Sequence, residues 1–563
     1  MAKHEGIPGT EDLFDPIAIT LSYHQQTKHH QDCYARSLGY LDWATQPDPF
    51  RTFVGTKRIE LVLAADNLTT PFADLHTPFA VQPRPLNLES IAVFFELALG
   101  LSAWKEFQGN RWALRCNPSS GNLHPTEGYA IFPPLLRFEA GVYHYLSRDH
   151  CLEQRCFLNE DGAAELTRAL PADSFLVGLS SIHWREAWKY GERAYRYCQH
   201  DAGHAIATVR YAAAALGWSA LLLDSFADDD VATLLGIDRA ADFAGIDPHD
   251  REHPDAIILV SRSPLSAPPP VLSVATFRAG AWTGRANQLS PSHFYWELID
   301  AVAKATWKPS LDSREPIDYA VLPPLSSSCL ISAATLIRQR RSCQALDGQT
   351  SIPAESFYRM LDHLLPRPHV PPWDALSWLP QLHAGIFVHR ITGLTPGLYM
   401  FERDQAIHDR LRAALRPTFL WTKPLDCPVH LRLYCLMTGD LRRTAQIVSC
   451  HQEIASDGAF SLGMIADFSQ TIQKKGAWWY RRLFWEAGIL GQVLYLEAEA
   501  AGARSTGIGC YFDDTFHEVL GQVSNEFQDL YHFTVGRPVE DHRLITLPPY
   551  AHLTDRDQTY SCT

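Results

Sequence analysis

Apolar residues recur at helical spacing through residues 202–215, an alanine-rich stretch, and again through residues 486–501, so the pattern predicts a helix in each. Gly217 and Gly502 follow and read as helix ends, because glycine takes the left-handed conformation that closes a last turn. Further on, Ala256-Ile257-Ile258-Leu259-Val260 and residues 530–535 are continuous apolar runs of strand length. Helix, turn, short helix and strand in that order predict a mixed α+β fold. The longest apolar run, residues 211–223, is bounded by Arg210 and Asp224. It falls short of the roughly 18 to 20 residues needed to cross a bilayer and reads as a buried helix.

The two patterned stretches are diverged copies of each other. With Tyr195-Arg196 laid over Tyr480-Arg481 and no gap, Asp201-Ala202-Gly203 falls on Glu486-Ala487-Gly488. In the same register Gly217 meets Gly502, Asp228-Asp229 meets Asp513-Asp514, and Leu235-Gly236 meets Leu520-Gly521. Upstream, Gly141-Val142-Tyr143 matches Gly397-Leu398-Tyr399. The chain therefore divides into an extension over residues 1–80 with no counterpart, a first domain over 81–262, a linker region over 263–324 and a second domain over 325–550. The linker contains Ser266-Ala267-Pro268-Pro269-Pro270-Val271, whose prolines exclude a helix or central strand.

Composition narrows the partners. The chain has 563 residues, 46% apolar and 20% charged, which suits a globular protein of more than one domain. A formal charge of -14 repels polyanions, so neither nucleic acid nor an anionic membrane surface is an expected partner. The first fifteen residues lack the apolar core of a secretory signal, and the twelve cysteines are scattered without a CxxC pair. Both features point to the cytoplasm. His29-His30 and the pair His383 and His389 read as solvated or core histidines, no metal-ligand spacing is present, and no metal is expected.

Four segments could carry chemistry. Pro118-Ser119-Ser120-Gly121-Asn122 is a rigid polar turn whose N–H groups, hydroxyls and amide can bond a flat heteroaromatic edge; an ordinary polar loop has the same composition. Arg340-Arg341-Ser342 can grip a phosphate, since guanidinium forks match its oxygens, or can be a solvated basic face. Gly507-Ile508-Gly509 can turn N–H groups toward an anion, whereas the first copy has Leu222-Leu223-Asp224 there, with a carboxylate that repels one. Lys189-Tyr190 can move a proton once partly buried, or can simply start a helix.

Together these motifs resemble the nitroreductase family, and within it the azoline-oxidising dehydrogenases of the SagB/ThcOx type. The resemblance rests on Arg115-x-x-Pro-Ser-Ser-Gly-Asn-Leu-His-Pro, Lys189-Tyr-x-x-Arg-x-Tyr-Arg, Arg340-Arg-Ser, Glu486-Ala-Gly with its following Gly-Gln-x-Leu-x-Leu, and Gly507-Ile-Gly. Tyr23-His24 and Thr27-Lys28-His29-His30 resemble the start of tandem members. The resemblance implies two tandem nitroreductase-like domains forming an intramolecular pseudo-dimer with FMN between them. It implies that Arg340, Arg341, Ser342, Gly507 and Gly509 hold the ribityl phosphate, with Arg537 as a further phosphate candidate. It places Pro118, Ser119, Ser120, Gly121 and Asn122 along the flavin ring and makes Lys189 and Tyr190 the general-base pair. Gln344 stands where the family often has a second arginine.

The implied activity is an FMN-dependent dehydrogenase or oxidase acting on a small molecule or a peptide, with O2 as electron acceptor. An NAD(P)H-dependent nitro or quinone reductase and a non-catalytic partner-binding scaffold are the alternatives. The former needs no Lys-Tyr pair, and the latter is colourless.

Overall fold

The computed structural model describes residues 14–135, 137–265, 272–311, 317–327 and 329–553. The proline-rich stretch 266–271 lies outside the described residues.

Two antiparallel sheets, each flanked by helices, organise the chain. The first uses β1 (Thr126–Phe132), β2 (Gly141–Leu146), β3 (Cys151–Phe157), β4 (Ser174–Ser181), β5 (Ser219–Leu222) and β6 (His253–Ser261) in the order β3-β2-β1-β4-β6-β5. Two short segments, Lys57–Glu60 and Ala281–Trp282, add to β3 at its edge. The second uses β7 (Leu382–Val388), β8 (Gly397–Glu402), β9 (Arg432–Thr438), β10 (Phe460–Asp467), β11 (Arg504–Ile508) and β12 (Phe527–Gly536) in the order β9-β8-β7-β10-β12-β11. Strand for strand the two orders are the same. The central strands β1, β4, β7 and β12 are buried along their whole length, as strands covered on both faces must be, so apolar runs and not alternation mark them.

Besides others such as Glu160–Ala169 and His408–Ala414, eleven helices matter here, and they correspond as closely. In the first half they are α1 (Pro16–Gln26), α2 (Leu88–Ala98), α3 (His183–Tyr190), α4 (Ala194–Ala215) and α5 (Asp228–Leu235). The later ones are α6 (Glu297–Ala305), α7 (Ala333–Gln339), α8 (Ala354–Asp362), α9 (Phe468–Lys475), α10 (Trp479–Ala500) and α11 (Asp513–Leu520). Helices α4 and α10 each run 22 residues and end before Gly217 and Gly502, both in the left-handed region. Every residue of α4 is buried, its polar side chains from Arg196 to Arg210 included.

The two long helices cross through their aligned glycines. A Cβ on Gly203 would lie 2.2 Å from the carbonyl oxygen of Trp485, and one on Gly488 would lie 2.2 Å from that of His200. Only hydrogen at these positions lets the backbones meet so closely. Ion pairs repeat the exchange. Arg196 Nη1 lies 2.8 Å from Asp513 Oδ1, and its aligned partner Arg481 places Nη1 2.5 Å from Asp228 Oδ2. Contacts in which i meets j and j meets i are those of a two-fold interface, here made within one chain.

The expectation that residues 1–80 lack a counterpart is corrected for α1. Helix α6, inside the stretch expected to be linker, packs against it. Thr27 caps α1 and Thr306 caps α6. Beyond the caps, the His29 N–H donates to Asp513 Oδ2 (2.9 Å) and the Lys308 N–H donates to Asp228 Oδ2 (2.8 Å). The reciprocal bonds run from the Asp513 N–H to the His29 carbonyl and from the Asp228 N–H to the Lys308 carbonyl. The repeat escapes the eye because what it reuses is backbone hydrogen bonding, which tolerates almost any side chain.

Candidate functional site between the two halves

A cavity of about 440 Å³ opens where the first half meets the second, within the usual range of roughly 300 to 1,000 Å³ for small-ligand sites. From the first half come Pro118, Ser119, Ser120, Gly121, Asn122 and Tyr190. The second half supplies Arg340, Arg341, Ser342, Gln344, Gly507 and Gly509. Residues 150 to 391 positions apart thus share one space.

The polar turn is held by named bonds. The Ser120 N–H and Oγ–H both donate to Asp201 Oδ1 at 3.1 Å, and Asn122 Nδ2 donates to the Ala113 carbonyl at 2.6 Å. Gly121 sits at φ +57°, with the Tyr190 hydroxyl 2.4 Å and Lys189 Nζ 3.1 Å from where a Cβ would be. The turn and the Lys-Tyr pair are therefore in contact, although Lys189 itself does not line the cavity.

The opposite wall is cationic. Arg340 Nη2 donates to the Arg115 carbonyl at 3.1 Å, and Arg341 donates to the carbonyls of Arg338, Arg340 and Ser102 at 2.6 to 2.7 Å. Among the described residues neither arginine has an ion pair. Burial, with Arg340 beside it, lowers Arg341 to about 10. Burial, with Arg341 next, lowers Lys105, which lines the same wall. Glu499 and Glu540 offset these shifts only in part, and cations that depress one another suit an anion. Arg340 Nε is buried with no hydrogen-bond partner, an orphan donor that a phosphate oxygen would satisfy. Phosphate together with a flat polar ring thus fits the groups present.

Two expectations are corrected. The Gly507 N–H does not face the cavity as a free donor: it donates to the Tyr495 hydroxyl at 2.9 Å, which also meets Ser342 Oγ at 2.7 Å. Gly507 and Ile508 close strand β11, paired with β12, and Gly509 lies just beyond it. Arg537 is exposed and lies outside the cavity lining, although Pro538, Val539, Glu540 and Asp541, which follow it, line the cavity. Sequence reasoning missed Asp201, Tyr197 and Tyr495, all of which line the cavity. A signal existed for the first: Asp201 and Glu486 are aligned acids within apolar helices.

Asp201 is raised to about 7, chiefly by burial, which the hydrogen bonds from Ser119 and Ser120 partly offset. Tyr190 is pushed well above its ordinary value by burial and then by the Glu186 carboxyl, so it keeps its proton.

The equivalent place on the other side of the interface is closed. Asp224, aligned with Gly509, is paired with Arg482, aligned with Tyr197. The Arg482 guanidinium lies 4.6, 4.5 and 5.1 Å from the ring centres of Trp378, Trp478 and Trp479. Lys308 Nζ donates to the Asp224 and Phe226 carbonyls, both at 2.6 Å. No described helix is long and apolar enough to cross a membrane. His383 and His389 are buried, hydrogen-bonded core residues, His29 is buried, and His30 is partly exposed.

The fold is α+β and nitroreductase-like: the crystal structure of a provisionally assigned nitroreductase from Anabaena variabilis superposes with a TM-score of 0.66 at 22% identity, over 92% of this chain and 99% of that one. The Nitroreductase family model matches residues 81–246, within the first half. A provisionally named nitroreductase of Methanocaldococcus jannaschii is 25% identical over 159 residues, 27% of this chain and 76% of that protein. The trifolitoxin-processing protein TfxB of Rhizobium leguminosarum bv. trifolii is 32% identical over 153 residues, 25% of this chain and 41% of that protein.

Proposed function

We propose that this protein is an FMN-dependent oxidoreductase of the SagB/ThcOx dehydrogenase type. In this reading its two nitroreductase-like halves form an intramolecular pseudo-dimer with a single composite flavin site. The observation that carries the reading is the division of labour at the cavity. The ring-facing turn 118–122 comes from one half, the anion grip 340–342 from the other, and the symmetry-related place is filled by the Asp224–Arg482 pair. FMN, where bound, supplies the two-electron chemistry that amino-acid side chains lack.

The chain's own residues bind and orient. Arg340 and Arg341 take the phosphate, Ser342 reaches it from beside Tyr495, and the Ser119–Asn122 turn presents its polar atoms to the ring edge. Tyr190, which keeps its proton, serves as a hydrogen-bond and proton donor. Asp201, at about 7, is the group in this cavity suited to exchanging a proton near neutrality, with Lys189 close by as the companion charge. TfxB is named for the processing of trifolitoxin, and on that resemblance the substrate is read as a peptide, with O2 as the electron acceptor of this reading. The likeness to the M. jannaschii protein supports a nitro or quinone reductase fed by NAD(P)H as the second reading.

The test is the visible spectrum and the flavin released per chain. About one FMN is expected, falling sharply in Arg341→Ala and in Ser119→Ala, variants of opposite halves. Two FMN per chain would refute the single site, and a colourless protein after FMN addition would refute the enzyme reading in favour of a scaffold. Rapid bleaching by NADPH would decide for the reductase.

A further inference from the structure

His76, His363 and Glu497 come together away from the composite cavity, from three distant parts of the chain. His76 ends the short turn Phe72–His76, His363 caps the C-terminus of α8, and Glu497 lies in the last turn of α10. Their side chains are 2%, 1% and 1% exposed. One ligand atom from each lies within 4.8 Å of the others, the one such group of three found among the described residues.

Such burial ordinarily demands hydrogen bonds, and they are missing here. Both ring nitrogens of His76, both of His363 and both oxygens of Glu497 lack a partner of hydrogen-bonding geometry. His363 Nδ1 is only 2.8 Å from Glu497 Oε1, yet the two are not aligned as donor and acceptor. His76 Nε2 lies 3.7 Å from the same oxygen, and the imidazoles are 4.3 Å apart at 70°. Three buried side chains with unpartnered ligand atoms within 4.8 Å of one another make a ready set of donors.

We propose that His76, His363 and Glu497 bind a divalent transition-metal ion, Zn²⁺ by the chemistry of its donors. Two imidazoles and one carboxylate are a zinc donor set, with a water completing the tetrahedron. Bonds of about 2.0 to 2.2 Å put ligand atoms roughly 3.3 Å apart, so separations of 2.8 and 3.7 Å need shifts of only about half an ångström. Arg359 Nε, 3.9 Å from Oε2, faces the second oxygen and leaves Oε1 to the histidines. The ion would tie the N-terminal extension to α8 and α10 of the second half.

The experiment measures zinc in the full-length protein by mass spectrometry, after incubation with ZnCl2 and dialysis against a weak chelator. About one Zn²⁺ per chain is expected, dropping at least tenfold in His76→Ala and in Glu497→Gln, with the zinc absorption edge of the wild type showing nitrogen and oxygen neighbours and no sulfur. That spectrum needs no variant, so a misfolded substitution does not decide the matter. A wild type that retains no zinc, zinc bound through cysteine sulfur, or zinc held equally by correctly folded variants would each overturn the proposal. None of these outcomes touches the flavin reading.

Discussion

Asp201→Asn isolates one buried titration. The carboxyl hangs from the middle of α4 and accepts the Ser120 N–H and hydroxyl, bonds that an amide oxygen can still receive. Its value is about 7 in the folded protein against an ordinary 3.8. The folded state therefore holds a proton that the unfolded chain has already lost between those two values. The resulting stability is fully present below the ordinary value and disappears as pH rises through about 7. Linkage across that window gives wild-type protein about 2.5 kcal/mol less stability at about pH 8 than at about pH 5 from this group alone. Asparagine has no such titration, so the variant should gain about that much relative to wild type over the same interval. Equilibrium urea unfolding of both proteins at the two pH values measures it. If the difference between variant and wild type stays constant with pH, Asp201 is ionised in the folded protein and the proton-exchange role falls with it.

Gly203→Val should destabilise the protein by about 1 to 3 kcal/mol, because its Cβ must displace the Trp485 carbonyl at the helix crossing. Flavin content should fall with it, and a Tm unchanged from wild type would refute the close approach. Tyr190→Phe should lower turnover at least tenfold with flavin retained, whereas unchanged turnover would remove the hydroxyl from the reaction. Arg482→Ala strands the Asp224 carboxylate, so it should cost about 3 to 5 kcal/mol in thermal or chemical unfolding and still leave one flavin per chain; a second flavin would show that the closed site needs only this plug.

Local chemistry made much of the candidate site legible. Proline, serine and glycine at 118–121 specify a tight polar turn, and consecutive arginines at 340–341 specify an anion grip, whatever surrounds them. Gly507 and Arg537 were misjudged for a tertiary reason, since Tyr495 from α10 takes the one amide and the other side chain is exposed outside the cavity while its neighbours 538–541 line it. Asp201 was overlooked because an acid in an apolar helix reveals its value only when burial sets its proton affinity.

The sequence by itself determined the repeat, the two long helices and their glycines, because an ungapped register and short-range backbone preferences survive the divergence of side chains. Which loop of one half faces which arginine of the other was decided only by the tertiary structure. So were the plugging of the second site by Arg482 and the meeting of His76, His363 and Glu497. The physical reason is common to all three: each depends on side chains brought within a few ångströms across hundreds of residues, and buried packing leaves no periodic trace along the chain.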